Sequence, residues 1–520
     1  MSIFGRFTRV KSIRFSRRFL RCAALLTLLL PAAAFLATWL RPAFGLPMAA
    51  ALIAAFALYV RASRSPARDV FGHEEDVFEC PAALLALVLL CVLVWTFLSG
   101  IGGLFYQTED HYGRNAIFTD MLTNTWPVYF EDTPYALTYY IAYWLLPALA
   151  AKGAAAILGA GALWPAANAA LFIQTAWFLT ITLLLFLSLI RAKGIIRNTL
   201  LLILFVLFSG MDSLMIPLFP AWWNNQLEWW AQGYQFSSNT TCLFWVYHQA
   251  LPAWLAMLLL LDHPEDVGSF ALIGLAAFPF SPMPFIGLMV YFLGLAAVKG
   301  YALLRSRGAA QGVKALLTKC LTAHNLLACV CIAPAFIPYF MANAASGGAP
   351  FRFDIYIGSY GLIEAIARLL LFLVIEFGAY ALILSRKFSR NPVFLLTVLS
   401  LVLAPMFRIG YGQDFSMRAS IPGLMALCLF CGRYLAAEKN VRRIPALILS
   451  ALLLLGSITP LMEFVRGAYK VKQAGTIFLT ANPFETVLHP EADTHNFICS
   501  DVNDALFYRY LAKPAHQSAD

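Results

Sequence analysis

Ala136-Leu-Thr-Tyr-Tyr-Ile-Ala-Tyr-Trp-Leu-Leu-Pro-Ala-Leu-Ala-Ala-Lys-Gly-Ala-Ala-Ala-Ile-Leu-Gly-Ala160 is the stretch on which the topology of this 520-residue chain turns. A helix crosses the hydrocarbon layer with about 20 apolar residues, and this segment has the length to do so. Counted as a crossing, it places Arg191, Lys193 and Arg197 outside and inverts every later loop. Read as helices lying at the outer surface, it leaves 13 spans, with the N-terminus cytoplasmic and the C-terminus extracytoplasmic. Lys and Arg concentrate in cytoplasmic loops. In the second reading 25 of the 37 Lys and Arg fall in the N-terminal arm and in 61–80, 191–197, 299–319, 386–390 and 433–443. The charge pattern selects that reading.

Composition agrees. The chain is 61% hydrophobic and 12% charged, with mean hydropathy +0.73, where soluble domains carry about 25% charge. The fold class is therefore all-α, a polytopic transmembrane bundle. One domain covers residues 1–462, with an acidic outer loop at 101–135 and surface helices at 136–160. A short extracytoplasmic tail runs from 463 to 520. Spans are expected at 22–40, 43–60, 81–100, 166–190, 198–217, 241–261, 321–340, 361–384, 392–408, 419–436 and 444–462. Residues 269–298 are broken by Phe280-Ser-Pro-Met-Pro-Phe285 and read as a hairpin of two short spans, since proline cannot continue the helical ladder.

The net charge of +10 does not point to nucleic acid. Arg6, Arg9, Lys11, Arg14, Arg17, Arg18 and Arg21 precede an apolar run with no acid among them, the pattern of an anchor against anionic headgroups. The run 22–40 exceeds a signal-peptide core and reads as a retained span, in a bacterial-type inner membrane. Most cysteines sit in apolar runs, including Cys428 and Cys431 at CxxC spacing, and suit packing better than zinc or redox work. Cys242 and Cys499 read as the exposed ones.

Against this background stands Gln107-Thr-Glu-Asp-His-Tyr-Gly-Arg-Asn-Ala-Ile-Phe-Thr-Asp120, directly behind the span 81–100. Ionisable groups at a bilayer are costly and mark function. Asp110 is the expected base, Glu109 its support and His111 a proton carrier. If 109–120 is helical, Asp110 and Arg114 form an i,i+4 pair that keeps the carboxylate ionised. Arg114, Asp120, Asp212, Glu228, His248, Gln249, Arg352, Asp414 and Arg418 are the candidate substrate and phosphate binders, with Arg352 and Arg418 expected to converge on the acidic loop. A guanidinium offers paired donors to a phosphate. Glu364 and Arg368 read as a structural pair. Trp222, Trp223, Trp229, Trp230 and Tyr234, beside Asn224, Asn225, Gln226 and Glu228, suit an aromatic belt or a sugar-binding face.

An acidic outer loop after an early span, surface helices behind it and about a dozen spans with polar outward loops resemble the GT-C glycosyltransferases. The resemblance implies transfer of a sugar from a polyprenyl-phosphate donor to a glycan or lipid acceptor at the outer face. It also implies a loop acid as base or metal ligand, at Glu109 and Asp110, where a divalent metal would bind. The acidic loop follows the third span rather than the first, and the two acids are adjacent rather than separated by one residue. An O-antigen-type polymerase or ligase, relying more on loop arginines, is the first alternative. A lipid-linked glycan flippase is the second, but it would carry charges at the bilayer midplane and repeated halves.

Overall fold

The computed structural model describes residues 12–63, 68–74, 76–217, 226–347, 351–409, 413–438, 441–477 and 485–515. In hydrocarbon each apolar run must close its own backbone hydrogen bonds, and helices do so. In chain order they are α1 (Arg17–Trp39), α2 (Pro42–Ala62), α3 (Ala82–Leu98), α4 (His111–Thr123), α5 (Ala142–Leu158), α6 (Leu163–Ile190), α7 (Ile195–Val206) and α8 (Asn239–Asp262). Then follow α9 (Phe270–Ala277), α10 (Pro282–Arg307), α11 (Ala309–Cys320), α12 (Ala323–Met341), α13 (Ile357–Tyr360), α14 (Leu362–Leu373), α15 (Ala379–Phe388) and α16 (Pro392–Leu403). The last are α17 (Asp414–Ala419), α18 (Ile421–Ala436), α19 (Arg443–Gly456) and α20 (Ile458–Ala474). Among the described residues, eight helical stretches are long and apolar enough to cross a membrane: α1, α2, Ala160–Ile190, α8, α10, α12, Leu362–Phe388 and Arg443–Ala474. Three short antiparallel pairs complete the fold: β1 (Ser12–Ser16) with β2 (Val77–Pro81), β3 (Ala136–Leu137) with β6 (Ile498–Cys499), and β4 (Arg352–Phe353) with β5 (Phe407–Arg408).

Polar contacts sort the helix ends into two groups. At one end Arg17 and Arg21 hold Asp262, with Arg17 Nε at 2.9 Å and Arg21 Nη1 at 2.8 Å. Asp69 accepts from Arg17 at 3.3 Å and Arg191 at 3.4 Å. Arg433 donates to the Ile190 carbonyl at 2.9 Å and pairs with Glu438, which Lys387 reaches at 3.0 Å. Asn391 donates to the Val70 carbonyl, and Lys299 pairs with Glu265. All five basic loops thus share one end, which we call the basic end. At the opposite end Asn343 donates to the Thr138 carbonyl at 2.6 Å, Tyr356 to the Gly233 carbonyl at 2.7 Å, and the Gln235 amide to Ser416 at 3.4 Å. The described parts of 101–135, 218–240, 341–360, 409–418 and the tail meet here, at the Asp110 end.

α8 is the central post. Every residue in it except Trp245 is buried, as befits a helix that is apolar nearly all round. α5 keeps contacts with the Asp110 end near its start, where Tyr143 meets Tyr247, and past its middle, where Lys152 donates to the Asn124 carbonyl. It does not lie flat: Tyr143 meets Thr175 at 2.8 Å and its carbonyl accepts from Gln174, so α5 stands antiparallel against the first half of α6. Ala148 and Ala151 on the buried face let the backbones approach.

Three further expectations are corrected. The span 198–217 is helical only to Val206, because the start of α8 closes it off: Asn239 Nδ2 and Thr240 Oγ1 take the Phe205 and Val206 carbonyls at 2.7 Å each. The hairpin at 269–298 has unequal arms, since the chain breaks once, at Ser281, and α10 then runs 26 residues. The tail is not an appendage. α20 continues past residue 463 to Ala474, and residues 485–515 return as a strap, with Lys513 N bonded to the Trp39 carbonyl at 3.0 Å and Tyr508 to that of Leu137 at 2.8 Å. Cys499 in that strap and Cys242 are both buried, and all the described cysteines are free.

Candidate active site

The acidic loop folds as expected at its centre. Gln107 Nε2 donates to the Gly100 carbonyl at 2.9 Å and its Oε1 accepts from Asn115 at 2.9 Å, which ties the loop to the end of α3. α4 then starts at His111, with Asp110 immediately before it. Asp110 and Arg114 form the i,i+4 pair at 2.7 Å. Asp110 is 42% exposed at its side chain while Arg114 is 6% exposed, so the acid faces the opening and the guanidinium backs it.

A second pair of the same construction lies opposite. Asp414 and Arg418 are i,i+4 on α17, with Asp414 exposed and Arg418 at 11%. Arg418 lies within electrostatic reach of Asp110, although about 300 residues separate them in sequence. Between the pairs α8 contributes Tyr247 and His248. Pro252 cannot donate to the carbonyl four residues back, and the helix departs from regular geometry at Val246 (φ −134°, ψ 35°). His248 stacks on Trp144 at 4.9 Å between ring centroids and lies 6.1 Å from Tyr139, while His111 stacks on Tyr247 at 5.7 Å. Phe497 of the strap closes on Tyr139 at 5.1 Å, and Gly113 has no Cβ because one would meet that ring at 2.8 Å.

Burial opposes ionisation of Asp110, but Arg114, with Arg418 adding, holds its carboxyl below the ordinary value. Burial likewise opposes the charge on Arg418, and Asp414, Tyr139 and Asp110 outweigh it and push it up. Asp110 and Arg418 are therefore charged near neutral pH. His111 differs from expectation: burial first, and Arg114 second, bring it down to about 3, so it is a neutral imidazole and not a proton carrier. Its Nδ1 bonds Thr108 at 3.1 Å. Buried atoms without a hydrogen-bond partner cluster here: Arg114 Nε and Nη1, Arg418 Nε, His111 Nε2, His248 Nδ1 and Gln249 Oε1. A buried donor left open costs about 1 to 3 kcal/mol. These six atoms, donors and acceptors together, are suited to a polar ligand, with the guanidiniums favouring an anion.

Other expected members lie elsewhere. Arg352 on β4 is half-exposed and pairs with Asp354 at 3.5 Å; the strand pairing with β5 turns it to solvent, so it does not converge on Asp110. Asp120 is buried and accepts from Val487 N at 2.9 Å and Thr486 Oγ1 at 3.2 Å, anchoring the strap. Burial pushes it up to about 6. Glu228 caps the approach to α8, accepting from Ser238 N at 2.9 Å and Ser237 Oγ at 2.7 Å. Burial first and the charge of Asp212 second push it up to about 7. Asp212 sits with Glu376 rather than with Asp110. Glu364 and Arg368 pair at 2.8 Å on the exposed face of α14. Trp222, Trp223, Asn224 and Asn225 lie outside the described residues.

Tyr247 was not singled out from sequence; its place beside His248 was the available signal. A divalent metal does not fit: Glu109 is exposed, Asp110 is committed to Arg114, and among the described residues no three metal-ligating side chains converge. The cleft of about 260 Å³ between α3 and α7, lined by Leu87, Cys91, Leu202 and Val206, is apolar and carries no such chemistry. Comparison of the chain with family models, with curated proteins and with solved structures gave no match.

Proposed function

We infer that the chain is a multi-pass inner-membrane glycosyltransferase of GT-C type, with 13 crossings, a cytoplasmic basic end and an extracytoplasmic Asp110 end. It moves a sugar from a polyprenyl-phosphate donor to a glycan or lipid acceptor. The observation that carries this reading is the pair of facing Asp–Arg units with open guanidinium nitrogens, set in a wall of Tyr139, Trp144, Tyr247 and His248. Placing the basic end in the cytoplasm follows from the charge rule.

The geometry supports the following roles. Asp110, ionised and partly exposed, takes the proton of the acceptor hydroxyl as its oxygen bonds the sugar's anomeric carbon. The bond from that carbon to the phosphate oxygen breaks, and the phosphate leaves with its electron pair against Arg114 and Arg418. The aromatic wall offers faces to the sugar and the isoprenoid. A polymerase or ligase joining lipid-linked glycans is the second reading, favoured by the two buried arginines. Incubation of the purified protein with a panel of radiolabelled polyprenyl-phosphate sugars tests the proposal; turnover of none of them, with lipid-diphosphate glycans joined instead, would select the second reading.

A further inference from the structure

A separate group of acids surrounds the turn after α7. Asp212 and Glu376 are each 1% exposed and Glu228 is 3% exposed. Asp212 Oδ2 accepts from Thr459 Oγ1 at 3.0 Å and from Ser209 Oγ at 3.3 Å. Glu376 Oε1 accepts from Trp230 Nε1 at 3.0 Å. The remaining oxygens, Asp212 Oδ1 and Glu376 Oε2, are buried without a donor. Yet the two carboxyl groups lie within hydrogen-bonding reach of each other. Two ionised carboxylates have no hydrogen to offer each other, so a hydrogen bond there requires a proton on one of them.

The backbone is built around this contact. Glu376 lies in a π-turn, Val374–Gly378, a wider turn that interrupts the helix between α14 and α15. Met211 N donates to the Ile375 carbonyl at 3.1 Å, which joins that turn to the segment carrying Asp212. Gly210 has no Cβ because one would collide with Glu376 Oε2. The surrounding elements supply no counter-charge. α20 brings Thr459, the 226–238 loop brings Trp230 and Glu228, and α15 brings Tyr380, whose hydroxyl bonds the Ser209 carbonyl at 3.1 Å. α19 carries its only charge, Arg443, at its far, basic end. Among the described residues no Lys, Arg or His forms an ion pair with Asp212, Glu228 or Glu376.

We propose that Asp212 and Glu376 form an exchangeable proton site, with one proton held between Asp212 Oδ1 and Glu376 Oε2. Release of the proton to solvent leaves two charges together in a medium of low dielectric, which drives the π-turn and the 210–215 turn apart and strains the Trp230 bond. The inference is independent of the transfer reaction at Asp110.

The test is infrared spectroscopy of the purified full-length protein in lipid nanodiscs, in a Glu228→Gln background so that Glu228 does not contribute. At mildly alkaline pH the protein should show a protonated-carboxyl stretch that shifts in deuterium oxide. It should vanish in Glu376→Gln and in Asp212→Asn, with helical content retained. Gly210→Ala, which displaces Glu376 without removing an acid, should shift or split it. Where a variant does not fold, the Glu228→Gln protein alone decides, because absence of the band at that pH overturns the site. A band untouched by all three substitutions overturns it too. So does a thermal midpoint raised by sodium but not by potassium and lost in Glu376→Gln, which would give the pair to a metal cation.

Discussion

The two ends of the molecule carry similar residues and use them differently. At the basic end two buried acids are saturated: Asp262 takes Arg17 and Arg21, and Asp69 takes Arg17, Arg191 and the His73 amide. These contacts join α1, α6, α8 and the loop after α2, and keep both carboxylates buried. At the Asp110 end Arg114 and Arg418 each have one aspartate, and the aspartate rather than the arginine is exposed. The guanidinium nitrogens turned inward stay open. Saturated pairs hold helices together, whereas half-filled pairs around an opening are ready for a ligand.

The sharpest way to break this contrast is Asp110→Asn. It should leave the helical content unchanged and cut transfer by about 10² to 10⁴-fold, the usual loss for a missing base, in a single-turnover assay. Normal turnover there, with Glu109→Gln inactive, would move the role one residue back.

At the basic end Asp262→Asn should do the reverse. It removes the carboxylate charge that Arg17 and Arg21, both buried, share, leaving Arg17 with Asp69 and Arg21 with Asp76, at a cost of about 3 to 5 kcal/mol. Thermal or denaturant unfolding in detergent should show the loss, while the activity per folded molecule is retained.

Arg418→Lys keeps the charge and loses the fork, so it should raise KM for the phosphate donor and lower kcat by about tenfold. Arg352→Lys, on the solvent side of β4, should change neither; equal losses in both would erase the distinction between them.

A pH-dependent effect belongs to the strap. Asp120 titrates near 6 when folded and near 3.8 when free, so the folded state binds the proton more tightly. Stability is full below 3.8 and falls as pH rises through about 6, by about 2 to 3 kcal/mol. Melting curves across that window should flatten in Asp120→Asn. His111, neutral above about 3, should put no limb near neutrality on the rate profile, and His111→Gln should leave its shape unchanged.

Much of this was legible in the chain. Apolar length located the helices, and the basic loops were sorted correctly onto one end because charge is read locally along the sequence. The Asp110–Arg114 pair was legible for the same reason, being one helical turn apart. The convergence of Arg418 was a matter of chemical need rather than of spacing, and the same need wrongly recruited Arg352. The charge of His111 was not legible, since an imidazole is neutralised by what surrounds it. Nor was the meeting of Asp212 with Glu376, which depends on a π-turn that no residue type announces.

The sequence by itself determined the class of molecule, its helices, the grouping of its loops and the first Asp–Arg pair, because hydrophobic length and i,i+4 spacing act within one segment. Tertiary structure alone decided which arginine approaches Asp110, that the tail is a strap, and that two distant acids meet. Those outcomes depend on burial and on contacts between segments hundreds of residues apart, where a few ångströms separate a paired charge from an open one.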